Sequence, residues 1–386
     1  MADFIQDRIW LSTPHMSGHE MKYIEEAFQL NNVFPLGPNV TGLEKDLARF
    51  TGAAHCCCLS SGTAAIHLAL IALGVEQGDE VICPTFTFSA SANPIAYLKA
   101  TPVFVESEAS TWNIRPTAEE ASLEEVIKAR IKAGKRPKAI IVVHLYGMPA
   151  RMDEIMRIAA EFEIPVVEDA AESLGSRYQG RSCGTWGDIG VLSFNGNKII
   201  TTSGGGAMLS NNKAYCDLAV FLSTQARDPA PYYQHSHIGY NYRMSNISAG
   251  IGRGQMEVLE QRVAKRRENF RFYQQALKNV PGIIFPDEPS DEFFSNRWLT
   301  TILVVPEQTG GVTNDDLRVG LDQLNIETRP LWKPMHLQPV FRNCPAYVDG
   351  TSEWLFNHGL CLPSSTSIKD QEREMVVDAI KKMIES

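Results

Sequence analysis

Lys198 and Asp169 are the residues whose types and surroundings most directly suggest chemistry. Lys198 closes the stretch Ser193-Phe-Asn-Gly-Asn-Lys198 and is followed by Ile-Ile-Thr-Thr-Ser-Gly-Gly-Gly-Ala. Its neighbours are apolar or small, so no obvious charged surface surrounds it. A lysine desolvated in this way has a lowered pKa and adds readily to aldehydes. Asp169 lies in Val166-Val-Glu-Asp-Ala-Ala-Glu-Ser-Leu174 and follows a short apolar strand, Ile164 to Val167. Acidic residues at a strand end need a cation to face, and a pyridinium nitrogen is one. Pyridoxal phosphate uses this combination: a lysine for its aldehyde, and a carboxylate that keeps the ring nitrogen protonated so that the ring accepts carbanion electrons. Taken singly, Lys198 reads as a solvated lysine beside a glycine hinge, and Asp169 as the N-cap of a helix starting at Ala170.

A third stretch shifts the balance. His55 to Leu59 reads as a strand, and Ser60-Ser-Gly-Thr-Ala-Ala-Ile-His then opens an apolar helix. A helix N-terminus offers unpaired N–H groups and the positive end of the dipole to a phosphate. Gly62 lets the backbone come close and Thr63 adds a hydroxyl; a plain N-cap uses the same residue types. Phe88, in the turn before another helix, could stack on a flat heterocycle or pack in the core.

The elements that must hold these residues alternate. Strands at 55–59, 80–83, 102–105, 139–143, 164–167 and 189–194 are separated by helices at 60–74, 116–132 and 151–162, the pattern of parallel βαβ units. Ligands of such sheets gather at the strand ends. His144 sits at one of these ends, where a structural hydrogen bond and a functional role fit equally. Gly206 to Ser210 can pair with the lysine strand. A long helix is expected over 247–277, followed by an α+β appendage. The predicted division is 1–250 for a large α/β domain with an N-terminal arm and 251–386 for a smaller C-terminal α+β domain. Arg329 to Phe341, broken by three prolines, should hold little regular structure.

Composition narrows the classes. A net charge of −9 over 386 residues argues against general nucleic-acid binding. The eight cysteines lack paired metal-ligand spacing, and Cys56-Cys57-Cys58 suits a buried strand, so no metal is assigned. His235 and His237 have no acidic neighbour to complete a metal site. The N-terminus does not read as a signal peptide and no apolar run could span a bilayer, so a cytoplasmic, membrane-free protein is expected.

Glu168-Asp-Ala-Ala-Glu-Ser followed by Ser193-Phe-Asn-Gly-Asn-Lys198 resembles the DegT/StrS-type sugar-nucleotide aminotransferases, over nearly the whole chain. The resemblance implies a fold-type I pyridoxal phosphate enzyme, with a mostly parallel central sheet flanked by helices. Arg329-Pro-Leu-Trp-Lys-Pro-Met-His-Leu-Gln-Pro339 is most similar to aminotransferases acting at C-4 of UDP-linked 4-keto-6-deoxy amino sugars, as in bacillosamine biosynthesis.

Carried residue by residue, the likeness implies that Lys198 binds pyridoxal 5'-phosphate and then moves protons, with glutamate as amino donor. Asp169 holds the ring nitrogen, Gly62, Thr63 and Ser193 hold the phosphate, and Phe88 rather than Phe86 stacks on the ring. Gly239-Tyr-Asn-Tyr-Arg-Met244 implies that Asn241 reaches the phosphate of the partner subunit, and hence a homodimer with shared sites. Arg243 fits either an anion of the substrate or an ion pair at the interface. Arg329 and His336 are candidates to face the nucleotide sugar. Glu172 departs from the pattern, since other branches carry Gln there, and a carboxylate donates only when protonated. Alternatives are a C-3 or a dTDP- or GDP-sugar aminotransferase, a sugar dehydratase of the same fold, which Lys198 disfavours, and a catalytically silent sugar-nucleotide-binding protein.

Overall fold

The computed structural model describes residues 7–117 and 119–385. Its main layer is an eight-stranded sheet in the order His55–Leu59, Gly206–Ser210, Ile189–Ser193, Val166–Asp169, Ala139–Val143, Glu80–Pro84, Thr101–Val105, Ala346–Tyr347. Gly206–Ser210 runs antiparallel to both its neighbours, and the other pairings are parallel. The central strands are buried along their whole length. Runs such as Ala139-Ile-Ile-Val-Val143 meet that demand because a parallel sheet is covered on both faces. Alternate residues go to opposite faces. Val81, Ile141 and Val143 pack with Ile66 and Leu68 of the helix Gly62–Ala72. Ile82, Ile140 and Val142 pack with Val126 and Ile155 of the helices Leu123–Lys132 and Met152–Glu161. Cys57 and Cys58 follow the same rule, entering two different cores.

A second, four-stranded antiparallel sheet is ordered Ile283–Ile284, Thr300–Val304, Gly359–Leu362, Arg329–Pro330. Tyr273, Leu317, Leu321, Val376 and Ile380 cover it from the helices Leu259–Leu277, Asn314–Gln323 and Asp370–Glu385. The N-terminal arm reaches this sheet region, with Ile9 bridged to Ile326. No helix among the described residues is long and apolar enough to cross a membrane.

Three expectations need correction. The helix expected from Pro116 begins at Leu123, because the chain first folds back and the Leu123 and Glu124 N–H groups bond the carbonyls of Arg115 and Pro116; residue 118 lies outside the described part. The long helix over 247–277 is two helices, Asn246–Met256 and Leu259–Leu277, separated where Val258 leaves helical geometry at φ −119°. Asp169 is the last residue of its strand rather than the residue beyond it, and a turn follows where an N-capped helix was possible.

Candidate active site

The ends of the His55–Leu59, Val166–Asp169 and Ile189–Ser193 strands meet at a cavity of about 290 Å³. It is lined by Gly62, Thr63, Phe88, Asp169, Glu172, Ser193 and Lys198 among others. Seven of the twelve residues singled out from the sequence therefore share one cavity.

Lys198 sits on the loop between Ile189–Ser193 and Gly206–Ser210. The loop is closed by two backbone bonds, Phe194 N–H to the Gly205 carbonyl at 2.8 Å and Thr202 N–H to the Phe194 carbonyl at 3.0 Å. The indole Nε1 of Trp298 and the hydroxyl of Ser12 both donate to the Asn197 carbonyl, at 2.7 and 2.9 Å. Lys198 Nζ is 4.1 Å from the centre of the Trp298 ring and 3.8 Å from Glu172 Oε1. Burial lowers the pKa of Lys198, against the pull of the Glu172 and Asp169 carboxylates. The amine is thus nearer its nucleophilic form than a surface lysine.

Asp169 is nearly buried and fully partnered. Its Oδ2 accepts from the Ser91 hydroxyl at 2.6 Å and its Oδ1 from the Ala171 N–H at 3.2 Å. Ser91 in turn shares a hydrogen bond with Thr87, just ahead of the helix Ser89–Tyr97, at 2.8 Å. Sequence reasoning missed Ser91. The i, i+4 spacing of Thr87 and Ser91 after a strand end was the available signal.

Glu172 is buried, and burial raises its pKa, with the charge of Asp169 acting in the same direction. Lys198 and two N–H donors oppose that rise. The Tyr146 N–H donates to Oε2 at 2.6 Å and the Trp332 indole to Oε1 at 3.3 Å. Trp332, also missed, ties this wall together. Its ring stacks on Tyr146 and leans on Phe88 with centres 4.9 Å apart, and Tyr146 stacks on Trp298. Phe88 is 48% exposed at the cavity, so a large aromatic face is left open there.

The opposite end is the N-terminus of Gly62–Ala72. Ser61 caps it by accepting the Ala64 N–H at 3.0 Å. The leading N–H groups of such a helix have no partner within it. The approach here is close: a Cβ on Gly206 would lie 2.4 Å from the Gly62 nitrogen.

The other candidates lie elsewhere. His144 is fully buried and held between Glu168 and the Ala150 N–H, at 2.9 and 3.0 Å. The N–H points at Nδ1, so the ring proton sits on Nε2, toward Glu168. Glu168 also accepts from the N–H groups of Gly184, Trp186 and Gly187, which makes the pair a brace for that turn. Of the two options for His144, these contacts support the structural hydrogen bond. Arg243 is paired within its own chain. Its guanidinium donates to Glu44 and the Cys58 carbonyl of its own chain, at 2.7 and 2.8 Å. Arg329 is exposed, pairs with Glu327 at 2.7 Å, and lines a neighbouring cleft of about 550 Å³ with Tyr146, Trp298, Trp332 and Lys333. His336 bonds Thr85 at 2.6 Å and Glu353 at 3.1 Å. Asn241 is exposed, outside the cavity, and bridged to Thr224.

Residues 14–381 match the model of the DegT/DnrJ/EryC1/StrS aminotransferase family. The "Putative pyridoxal phosphate-dependent aminotransferase EpsN" of Bacillus subtilis (strain 168) is 49% identical over 97% of this chain and 95% of its own. The GDP-perosamine synthase of Escherichia coli O157:H7 is 35% identical over 95% of this chain and 96% of its own. A crystal structure of a DegT/DnrJ/EryC1/StrS aminotransferase from Brucella abortus superposes with a TM-score of 0.87 at 28% identity, covering 96% of each chain. The chain belongs to the DegT/DnrJ/EryC1/StrS aminotransferase family, whose members are pyridoxal phosphate-dependent sugar aminotransferases.

Proposed function

We propose that the protein transfers an amino group from glutamate to C-4 of a nucleotide-linked 4-keto-6-deoxy sugar, UDP-linked and bearing a 2-acetamido group. One observation carries the proposal: a single cavity gathers a desolvated amine, Lys198, a carboxylate, Asp169, and a glycine-opened helix N-terminus at Gly62. The finer choice of sugar is supported by the likeness of Ser193–Lys198 and Arg329–Pro339 to C-4 aminotransferases.

The residues fit pyridoxal phosphate. Gly62, Thr63 and Ser193 would hold its phosphate, Asp169 its ring nitrogen, Lys198 its aldehyde, and the open face of Phe88 its ring. When bound, it supplies a carbon that carries the amino group and a ring that takes up an electron pair. The chain supplies the rest. Ser91 and the Ala171 N–H keep Asp169 in place. The Lys198 amine takes the proton from the carbon bearing the donor nitrogen and delivers it in the reverse direction at the sugar carbon. The cleft lined by Arg329, Trp332 and Lys333 would receive the substrate's anionic part. The working unit is read as a cytoplasmic homodimer in which Asn241 completes the site of a second copy. Phe34, Leu36 and Ile238, 48%, 57% and 84% exposed, are apolar surface suited to such a contact.

A second reading, a GDP-linked ketone, is favoured by the GDP-perosamine synthases among the relatives. Visible absorbance tests both. Protein loaded with pyridoxal phosphate should lose its visible band on adding glutamate. The band should return with the UDP-linked 4-keto sugar. Return only with the GDP-linked ketone would select the second reading. A full band and full turnover in Lys198→Ala would overturn the assignment of the lysine.

A further inference from the structure

Trp332 stands between two parts of the molecule that sequence distance keeps apart. It belongs to the proline-broken segment Arg329–Pro339, which also lines the cleft beside the cavity. Its backbone N–H donates to the Tyr146 hydroxyl at 2.8 Å, and its indole Nε1 donates to Glu172 Oε1 at 3.3 Å. That same Oε1 is the oxygen 3.8 Å from Lys198 Nζ. The second oxygen of Glu172 is fixed by the Tyr146 N–H at 2.6 Å. Tyr146 is buried and lies between the rings of Trp298 and Trp332, the former carrying Lys198 on its face. A shift of the Trp332 backbone would therefore act on Glu172 twice, through the indole and through Tyr146.

We propose that Trp332 is a positioning residue: its indole N–H holds the Glu172 carboxylate beside Lys198, so that seating of the 329–339 segment governs when the lysine amine is free to act. The inference rests on Lys198 being the reacting amine, as read above. The groups facing the pair are few. Lys198 meets Glu172 and Asp169. Glu172 meets Lys198, Asp169 and Tyr146, with the Cys361 thiol near enough to feel its charge. An N–H donor favours the ionised carboxylate, and an ionised carboxylate favours the ammonium of Lys198. Withdrawing the indole weakens both, so the amine loses its proton at lower pH. A substrate that draws Trp332 outward would in this way deprotonate the lysine as it arrives.

The test uses cofactor-free protein, so it does not depend on turnover. Lys198 is acetylated with acetic anhydride across a pH series, and the modified peptide is quantified by mass spectrometry. Trp332→Phe keeps the stacked ring and removes the donor. Its midpoint of Lys198 reactivity should move down by roughly half a pH unit or more. Glu172→Gln should move it down as well, and Trp332→Phe should add nothing in that background. A midpoint that stays put or rises in Trp332→Phe, or an equal shift with and without Glu172, would overturn the proposal. Failure of the loaded protein to show a visible band would instead reject the cofactor reading, and would leave the acetylation result standing.

Discussion

Lys198 Nζ and Glu172 Oε1 lie 3.8 Å apart in a nearly buried site, and burial acts against the charge on each of them. The amine is pushed down and the carboxyl up, so the pair resists holding two full charges. That opposition sets the first prediction.

Burial lowers Lys198 from its ordinary 10.5. Between the lowered value and 10.5 the unfolded chain binds more protons than the native one, so native stability rises with pH in that window. Lys198→Met should lose this contribution. Thermal midpoints of cofactor-free wild type and Lys198→Met, followed from neutral pH to about 10.5, should show the wild type gaining on the variant as pH rises. Parallel curves would mean that the amine is not desolvated.

Ser91 should matter to chemistry more than to folding. Its hydroxyl donates to Asp169 Oδ2 at 2.6 Å. A hydrogen bond to a charged group contributes roughly 1.5–3 kcal/mol, so Ser91→Ala should slow bleaching of the visible band by glutamate about tenfold or more. Stopped-flow absorbance measures this directly. Ser91→Thr should restore much of the rate if the hydroxyl is what counts.

His144→Ala should do the reverse. The ring is sealed between Glu168 and the Ala150 N–H, and removing it leaves buried partners unsatisfied. A stability loss of about 2–4 kcal/mol is expected by denaturant titration, with the rate per folded molecule nearly unchanged. A slow but fully stable variant would point to a functional role for His144 instead.

Gly206→Ala should weaken cofactor binding. The added methyl would meet the Gly62 nitrogen at 2.4 Å and push the first turn of Gly62–Ala72 away. An equilibrium titration with pyridoxal phosphate should show affinity reduced about tenfold or more, a loss of one good charge-assisted contact. Gly196→Ala, on the lysine loop with only Pro14 near at 3.9 Å, should bind normally.

What the sequence made legible follows from how local the causes are. Strands at His55–Leu59, Ala139–Val143 and Gly206–Ser210 could be read to the residue, since short apolar runs ended by polar or small residues carry their own limits. The break at Val258 could not, because no glycine or proline marks it. In the site, Lys198, Asp169 and Gly62 were readable as strand-end residues of the right type. His144 and Arg243 stayed ambiguous because their carboxylate partners, Glu168 and Glu44, arrive through tertiary packing. Ser91, Tyr146 and Trp332 were missed for the same reason: their importance lies in the groups they touch across the fold.

The antiparallel run of Gly206–Ser210 in the main sheet has a kinetic meaning. Because Gly206–Ser210 turns straight back along Ile189–Ser193, the lysine loop is closed by the pairing of Ser193 with Gly206, neighbours in sequence as sheets go. The helix end that faces the lysine is fastened to the same strand by the pairing of Leu59 with Gly206, a contact of far greater sequence separation. Local pairings form readily, and distant ones wait on loop closure. The turn bearing the reactive amine can therefore form early, and the anion cradle is assembled onto it once the distant His55–Leu59 strand docks.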